Sequence, residues 1–433
     1  MGDQKSWQLS KIAKVQGGFA FRSRDFSKVG VPVVKIGNVT GGGSVSYQDL
    51  DCVSEDIARS ADNWKTREND TLIAMTGANV GKVAKVGCND PVALINQRVG
   101  RFVPHVDQGF SKEYIHCLVS SKQAYEFFRN AAYGSAQPNI SARLIEMLPI
   151  PKYERDQANR LGAVFSALDD KIALNRRTNE TLEGLARALF KDWFVDFGPT
   201  RAKASGAKPT LAPEIWSLFP DRLDDNGLPE GWEEFTLENI AEHHKKTINP
   251  AKTPNVIFEH FSLPSYDKGQ NPVLDEGGSI KSNKTLMPVN AVLLSKLNPE
   301  IARVWMPETS GVYEQICSTE FLVFTAKEGF NRSLLYCLFS DGQFRDTLQS
   351  MVTGTSKSHQ RISPPALAKM DVLVGKSDVF SAFDVAVSEL HSRILANRAE
   401  SRTLAQTRDL LLPKLMSGEL RVREAEGIME GVA

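Results

Sequence analysis

Polar loops rich in Arg, Lys, Asn, Gln and Ser recur in both halves of this chain, and their side chains are the ones with chemistry to offer. In the N-terminal half they are Arg22 and Arg24 in GGFAFRSR, Lys35 and Asn38 in KIGN, Lys82, Gln97 and Arg98 in NQR, and Ser135, Gln137 and Asn139 in GSAQPNIS. In the C-terminal half they are Lys245, Lys246, Lys281, Asn283, Lys296 and Asn298, with Lys357, His359, Gln360 and Arg361 in TSKSHQR. Side chains of these types bind phosphate oxygens and, when bidentate, distinguish guanine from adenine edges. A polar loop is solvated more often than it reads a base, so they count as sets and not singly.

Catalytic patterns fail one after another. GANVGKV, from Gly77 to Val83, is one residue short of a phosphate loop and has no Ser or Thr after Lys82; a glycine turn between strands explains it. The Gly41–Gly43 run reads as a hairpin turn. His243 and His244 have no partners at metal-ligand spacing and read as a solvated helix end. No GxSxG elbow and no adenine-methyltransferase tetrapeptide occurs, and the carboxylates form no defensible pair. Cys52, Cys88, Cys117, Cys317 and Cys337 are scattered and odd in number, which fits a reducing compartment. The sequence therefore reads as a protein that is not an enzyme by itself, with no cofactor or metal of its own.

The elements holding these loops must come from 433 residues, enough for roughly two to four folding units. Basic and acidic residues number 52 each, which excludes polyanion binding by overall charge and leaves only local patches. Residues 1–150 hold 18 basic against 14 acidic side chains, residues 232–375 hold 14 against 16, so a basic face in the second half must be offset by an acidic one. No signal-peptide core or apolar stretch of membrane-spanning length occurs, and the expected location is the cytoplasm.

The chain repeats itself. Cys117 falls on Cys337 at a shift of 220, Gly134 on Gly354 at the same shift, and a two-residue insertion in GTSKSHQRIS raises it to 222. Beyond it, Leu168 falls on Leu390, Ile172 on Ile394, Asn175 on Asn397 and Leu182 on Leu404. The middle of each half, NDTLIAMTGANVGKV and VNAVLLSKLNPEIARV, agrees only in apolar pattern. A period this long is a duplicated module and not a solenoid.

Each copy ends in a helix whose apolar residues step by three and four. The first series is Leu161, Phe165, Leu168, Ile172, Asn175, Leu182 and Leu189; the second is Phe383, Val387, Leu390, Ile394, Asn397, Leu404 and Leu411. This is a coiled-coil seam, and its polar interruption (Asn175 with Asn179, Asn397 with Ser401) suits two helices that pair with each other in one register. About 40 residues give a rod of roughly 60 Å. Gly198-Pro199 is expected to close the first helix, and Pro413 to kink or end the second near Leu412. Residues 199–231 read as a connector anchored by Ile215, Trp216, Leu218 and Phe219. Runs such as VPVVKIGNV, DTLIAM, NAVLLSKL and TEFLVFTA read as strands, with one helix each in YIHCLVSSKQAYEFF and LLYCLFSDGQFRDTL, giving α+β domains.

The stretch LPIPKYERDQANRLGAVFSALDDKIALNRRTNETLEGLARALFKDWFVDF, then FPDRLDDNGLPEGW, closely resembles the central region of Type I restriction–modification specificity subunits. GSAQPNIS and the tail LLLPKLMSGELRV are similar to theirs as well, while GTSKSHQRIS departs from the family's Gly-Ser-x-Gln-Pro pattern. The resemblance implies an α+β fold with two pseudo-repeated target-recognition domains, 1–150 and 232–375. They would be joined by two long antiparallel coiled-coil helices, 151–198 and 376–418, with a linker at 199–231 and a tail at 419–433. It further implies a non-catalytic subunit on double-stranded DNA that directs the complex to an asymmetric bipartite target, the helices setting the spacer. Two methyltransferase subunits and a restriction or motor subunit would be its partners, S-adenosylmethionine and ATP belonging to them. The competing readings are a stand-alone methyltransferase or nuclease with undetected motifs, and a protein-binding scaffold. Arg176, Arg177, Glu180 and Glu183 are left either for partners or for solvent.

Overall fold

Two helices of 40 residues each, Arg155–Phe194 and Ser377–Met416, dominate the computed structural model of the chain. It describes residues 6–132, 138–308, 311–353, 360–375 and 377–416, with positions 419, 424 and 427. The chain divides into two units, Met1–Arg177 with Asn397–Ala433, and Thr178–Ala396, so each long helix contributes one half to each unit.

In the first unit Leu161, Phe165 and Leu168 share a core with Leu404, Leu411, Leu412 and Leu415, capped by Tyr114, Ile115, Leu118 and Phe128. Pairing residues ascend in one helix as they descend in the other. Asp169 accepts from Arg408 at 2.6 Å, Lys171 stands 3.3 Å from Glu400, and Asn175 Nδ2 donates to Glu400 at 2.7 Å and Ser401 at 3.3 Å. The helices are therefore antiparallel here. Asn175 and Asn397 are buried, and the polar interruption is spent on bonds between the helices. Ile172 is half-buried beside them.

The second unit repeats the pattern with aromatic residues. Asn179 Nδ2 donates to Ile394 O at 3.3 Å, Phe190 meets Phe383 at 6.0 Å between ring centroids, and Phe194 stacks on Phe380 at 5.2 Å. Phe383, Val387 and Ile394 are buried, while Leu182, Leu189 and Leu390 are half-buried.

Outside the helices the two units share a strand plan. A sheet ordered Ala13–Gly17, Val99–Pro104, Thr71–Ala74, Val83–Lys85, Gly43–Ser44 has its counterpart in Ala241–His244, Phe321–Ala326, Val292–Ser295, Val304–Trp305. In both, the central pairings keep register: Leu72 faces Arg101 where Leu293 faces Val323. A second sheet pairs Val31–Val34 in parallel with Leu94–Ile95, as Ile257–Phe261 pairs in parallel with Glu314–Ser318.

Several sequence expectations fail for local reasons. Pro413 does not end its helix, which runs on to Met416. An interior proline costs about 3 kcal/mol, and burial of Leu411, Leu412 and Leu415 around it supplies the opposing contacts. Gly198-Pro199 opens a helix, Gly198–Ala204, where proline's missing N–H is harmless; the first long helix ends instead at Phe194, and Phe197 turns left-handed at φ +54°. That helix and Pro213–Trp216 also give the connector structure of its own. The single helix expected in each copy is two. Lys112–Val119 and Lys122–Ala132 are separated where Ser121 Oγ accepts from Ala124 N at 3.1 Å; Arg332–Ser340 and Gly342–Ser350 are separated where Asp341 caps Gln343 and Phe344. The Gly41–Gly43 run makes no hairpin, because Gly43–Ser44 pairs in parallel with Ala84–Lys85.

The copies differ in where charge is buried. Asp70, 3% exposed, accepts from Arg101 at 3.2 Å and Lys112 at 2.7 Å, and Arg101 also donates to the Lys65 and Asn63 carbonyls and to Gln16. The equivalent positions hold Ala291 and Val323. Lys85 Nζ, in a side chain 8% exposed, donates to Ser166 at 2.8 Å and Asp170 at 2.7 Å on the long helix; its equivalent is the buried Met306.

Candidate nucleic-acid interface

In the first unit the loops named from sequence are tied together at the end of the central Thr71–Ala74 strand. Met75 N donates to Arg98 O at 2.9 Å, Ile140 N to Met75 O at 2.9 Å, and Gly77 N to Pro138 O at 3.1 Å. Asn79 Nδ2 donates to Ile36 O at 3.0 Å while its Oδ1 accepts from Lys82 Nζ at 2.8 Å. Asn96 N donates to Val34 O at 3.0 Å, and Phe19 N to Ile95 O at 2.8 Å. Gly18 is required at that last approach, since a Cβ there would stand 2.2 Å from Asn96 O. The segments carrying Arg22, Lys35, Asn38, Lys82, Arg98 and Asn139 are thereby gathered.

Their side chains are not equivalent. Arg22, Arg24, Gln97, Arg98 and Asn139 are exposed. Lys35 is half-buried, bonded to Asp51 at 2.8 Å and 3.5 Å above the Phe26 ring, and Asn38 Oδ1 accepts from Lys35 N at 2.9 Å. These two, like Lys82 with its Asn79 bond, hold the loops in shape. Ser135 and Gln137 lie outside the described residues, as do Lys357 and His359 of the second unit.

The second unit repeats the three backbone bonds at the end of that strand. Lys296 N donates to Glu320 O, Ile362 N to Lys296 O, and Asn298 N to Gln360 O, each at 3.0 Å. Lys296 thus corresponds to Met75, Asn298 to Gly77, Glu320 to Arg98 and Arg361 to Asn139. Gly77 at φ +76° and Asn298 at φ +51° both occupy the left-handed region, which asparagine tolerates better than most side chains. Lys245, Lys246, Lys281 and Asn283 are exposed, and Leu286 N donates to Lys246 O at 2.9 Å, bringing their turns together. Gln360 and Lys296 are half-buried; Arg361 is exposed and paired with Glu320.

His243 and His244 do not form a solvated helix end. They close the Ala241–His244 strand, where His243 stacks on Phe324 at 5.0 Å and His244 Nε2 contacts Thr325 Oγ1 at 2.7 Å. Burial, then the neighbouring charges of Lys245, His244 and Lys296, hold the His243 imidazole down to about 4. An unfolded histidine titrates near 6.5, so between those values the unfolded chain binds a proton that the folded one refuses. Stability from this group is full above about pH 6.5 and is lost as pH falls towards 4. Thermal unfolding is expected to show wild type losing more stability than His243→Gln over that window; parallel profiles would contradict it.

Two groups of functional interest escape the sequence reading. Glu320 emerges only when the 222-residue shift is carried back from Arg98. Asn79, which locks two loops, hides in the segment dismissed as a phosphate loop. On the long helix, Arg177 is no bystander, since it donates to Asp90 at 2.7 Å. Among the described residues no three His, Cys, Asp or Glu stand together as a metal site. A cavity of about 780 Å³ in the first unit is lined by Lys82, Lys85, His116, Asp169, Arg176 and Arg408, among others.

The family model of the Type I restriction modification DNA specificity domain matches residues 1–184. The chain is 25% identical over 371 residues to the Type I restriction enzyme MjaIX specificity subunit of Methanocaldococcus jannaschii, covering 82% of this chain and 78% of the relative. It is 22% identical over 365 residues to the HindI specificity subunit of Haemophilus influenzae, covering 71% and 77%. Its fold is similar to the S subunit of a Type I restriction–modification system from M. genitalium, with a TM-score of 0.56 at 13% identity over 95% of this chain and 96% of that one. With a duplicated α+β plan, paired long helices and relatives of one kind along most of its length, the chain is similar to the specificity subunits of Type I restriction–modification systems.

Proposed function

We propose that this subunit binds double-stranded DNA and directs its complex to an asymmetric bipartite target, residues 1–150 and 232–375 each reading one half-site. The long helices act as the spacer. Two methyltransferase subunits and a restriction or motor subunit are its partners; they carry S-adenosylmethionine and ATP, and the complex works in the cytoplasm. Catalysis belongs to those partners, because the relatives are specificity subunits. The observation that carries the reading is the duplicated loop clamp with unlike side chains on it: Arg98 and Asn139 in one unit, Glu320 and Arg361 in the other. Equal scaffolds with unequal readers yield unequal half-sites. The exposed Arg22, Arg24, Gln97, Lys245, Lys246, Lys281 and Asn283 supply phosphate and base contacts around each clamp.

Phosphate contacts release counterions, so affinity for a target duplex is expected to fall by about a thousandfold between 50 and 200 mM salt if six phosphates are engaged. Titration of the purified chain into labelled duplex tests this. Affinity that ignores salt, or no duplex binding at all, would favour a protein-binding scaffold.

A further inference from the structure

One cation persists through both copies while its counter-charges do not. Lys112, at the start of the Lys112–Val119 helix, donates to Asp70 at 2.7 Å and to Glu68 O at 3.0 Å. Glu113 beside it accepts from Asn69 at 3.1 Å. Arg332 starts the equivalent helix, Arg332–Ser340, at the shift of Cys117 to Cys337. There Val289, Ala291 and Ser333 stand where Glu68, Asp70 and Glu113 stand, with Asn69 and Asn290 matched at φ +61° and +63°. Three carboxylates are gone and the positive charge remains.

What is left around Arg332 does not neutralise it. Its Nη2 donates to Pro307 O, and its Nε is buried without an acceptor. Among the described residues no carboxylate supports the guanidinium, and burial alone holds it down to about 10. A charge withdrawn from water is costly unless it is paired. Folding therefore gains little from this arginine. The side chain is half-buried and not sealed off, so a group from outside can reach it.

Its place points to protein and not to DNA. Leu293 faces Trp305 and Leu294 faces Val304, and continuing that register sets Pro307 beside Ala291. Lys296 of the loop clamp lies five residues further along the same strand, roughly 17 Å away at 3.3 Å per residue. Val289, which takes the place of Glu68, is 65% exposed, an apolar side chain that a phosphate does not match. Arginine is among the side chains enriched at protein interfaces and among the few that carry most of their binding energy.

We propose that Arg332 anchors a protein-docking surface on the second unit, where a carboxylate from a partner subunit replaces the counter-charge that Asp70 provides in the first. The first unit carries its own acid, so the surface belongs to one copy alone.

This assignment rests on the partner reading proposed above and names the group that a partner presents. Its test is assembly of the full chain with its methyltransferase subunits, comparing wild type with Arg332→Met and Arg332→Lys. Arg332→Met is expected to weaken assembly by about tenfold or more. Thermal unfolding of the isolated chain should hold or rise, and its duplex affinity should not move. In the assembled Arg332→Lys variant, a carbodiimide should link position 332 to an Asp or Glu of a methyltransferase subunit, read by peptide mass spectrometry. Unchanged assembly of Arg332→Met, or cross-links from position 332 only to this chain's own carboxylates, overturns the docking surface while the partners stand. Lost duplex affinity with assembly intact assigns the arginine to a phosphate and overturns it too, as does a fall in stability that accounts for the weaker assembly. A wild-type chain that does not bind methyltransferase subunits overturns the partner reading itself.

Discussion

One heptad inserted after Arg177 and another after Ala396 is expected to lengthen the non-specific gap of the target by about three base pairs, with both half-sites unaltered. These are the points where each long helix passes from one unit to the other. Seven residues add about 10 Å of helix at 1.5 Å each, and base pairs rise about 3.4 Å. A heptad also returns the seam to the same face, so Asn175 keeps its bonds to Glu400 and Ser401, and Asn179 its bond to Ile394. Insertion in one helix only should instead cost stability, because it sets one polar interruption against the apolar turns of the other helix. Mapping methylated positions for the variant measures the gap directly. An unchanged gap would remove the helices from the role of spacer.

Asp70→Ala is expected to destabilise the first unit by about 3–5 kcal/mol, the cost of stranding one member of a buried ion pair. Arg101, 6% exposed, would retain carbonyl partners at Lys65 and Asn63 yet lose its counter-charge. The second unit suggests the remedy, since its equivalent positions are Ala291 and Val323, both buried. Combining Asp70→Ala with Arg101→Val should therefore recover most of the loss, because replacing a buried pair with apolar residues is often neutral. Urea unfolding of the single and double variants decides it. A double variant as weak as the single would mean that the first unit needs the pair's hydrogen bonds and not merely its charge balance.

Periodicity made the long helices legible, since seam residues from Leu161 to Leu189 and from Phe383 to Leu411 advertise a face regardless of partner. The strands at Thr71–Ala74 and Val292–Ser295 were legible as apolar runs. Local signals misled where tertiary contacts outweigh them. Pro413 reads as a kink or an end, yet the helix runs on to Met416 with the leucines around the proline packed into a core; His243 reads as solvated, yet its ring is stacked on Phe324. The proposed reading site was only partly legible. Loop residues were found by type, which does not separate an exposed Arg98 from a Lys35 tied to Asp51. Glu320 was invisible for a different reason: the shift between copies drifts from 221 at Met75 to 222 at Arg98 and 220 at Cys117, so equivalent residues align only once the backbone bonds are known.

The most direct test of the account is the map of methylated bases in a genome carrying this gene with its partner genes, set against the same genome without it. Two short, unlike half-sites at one fixed separation are the predicted result. A palindromic or uninterrupted motif, or methylation that does not depend on this chain, would contradict it.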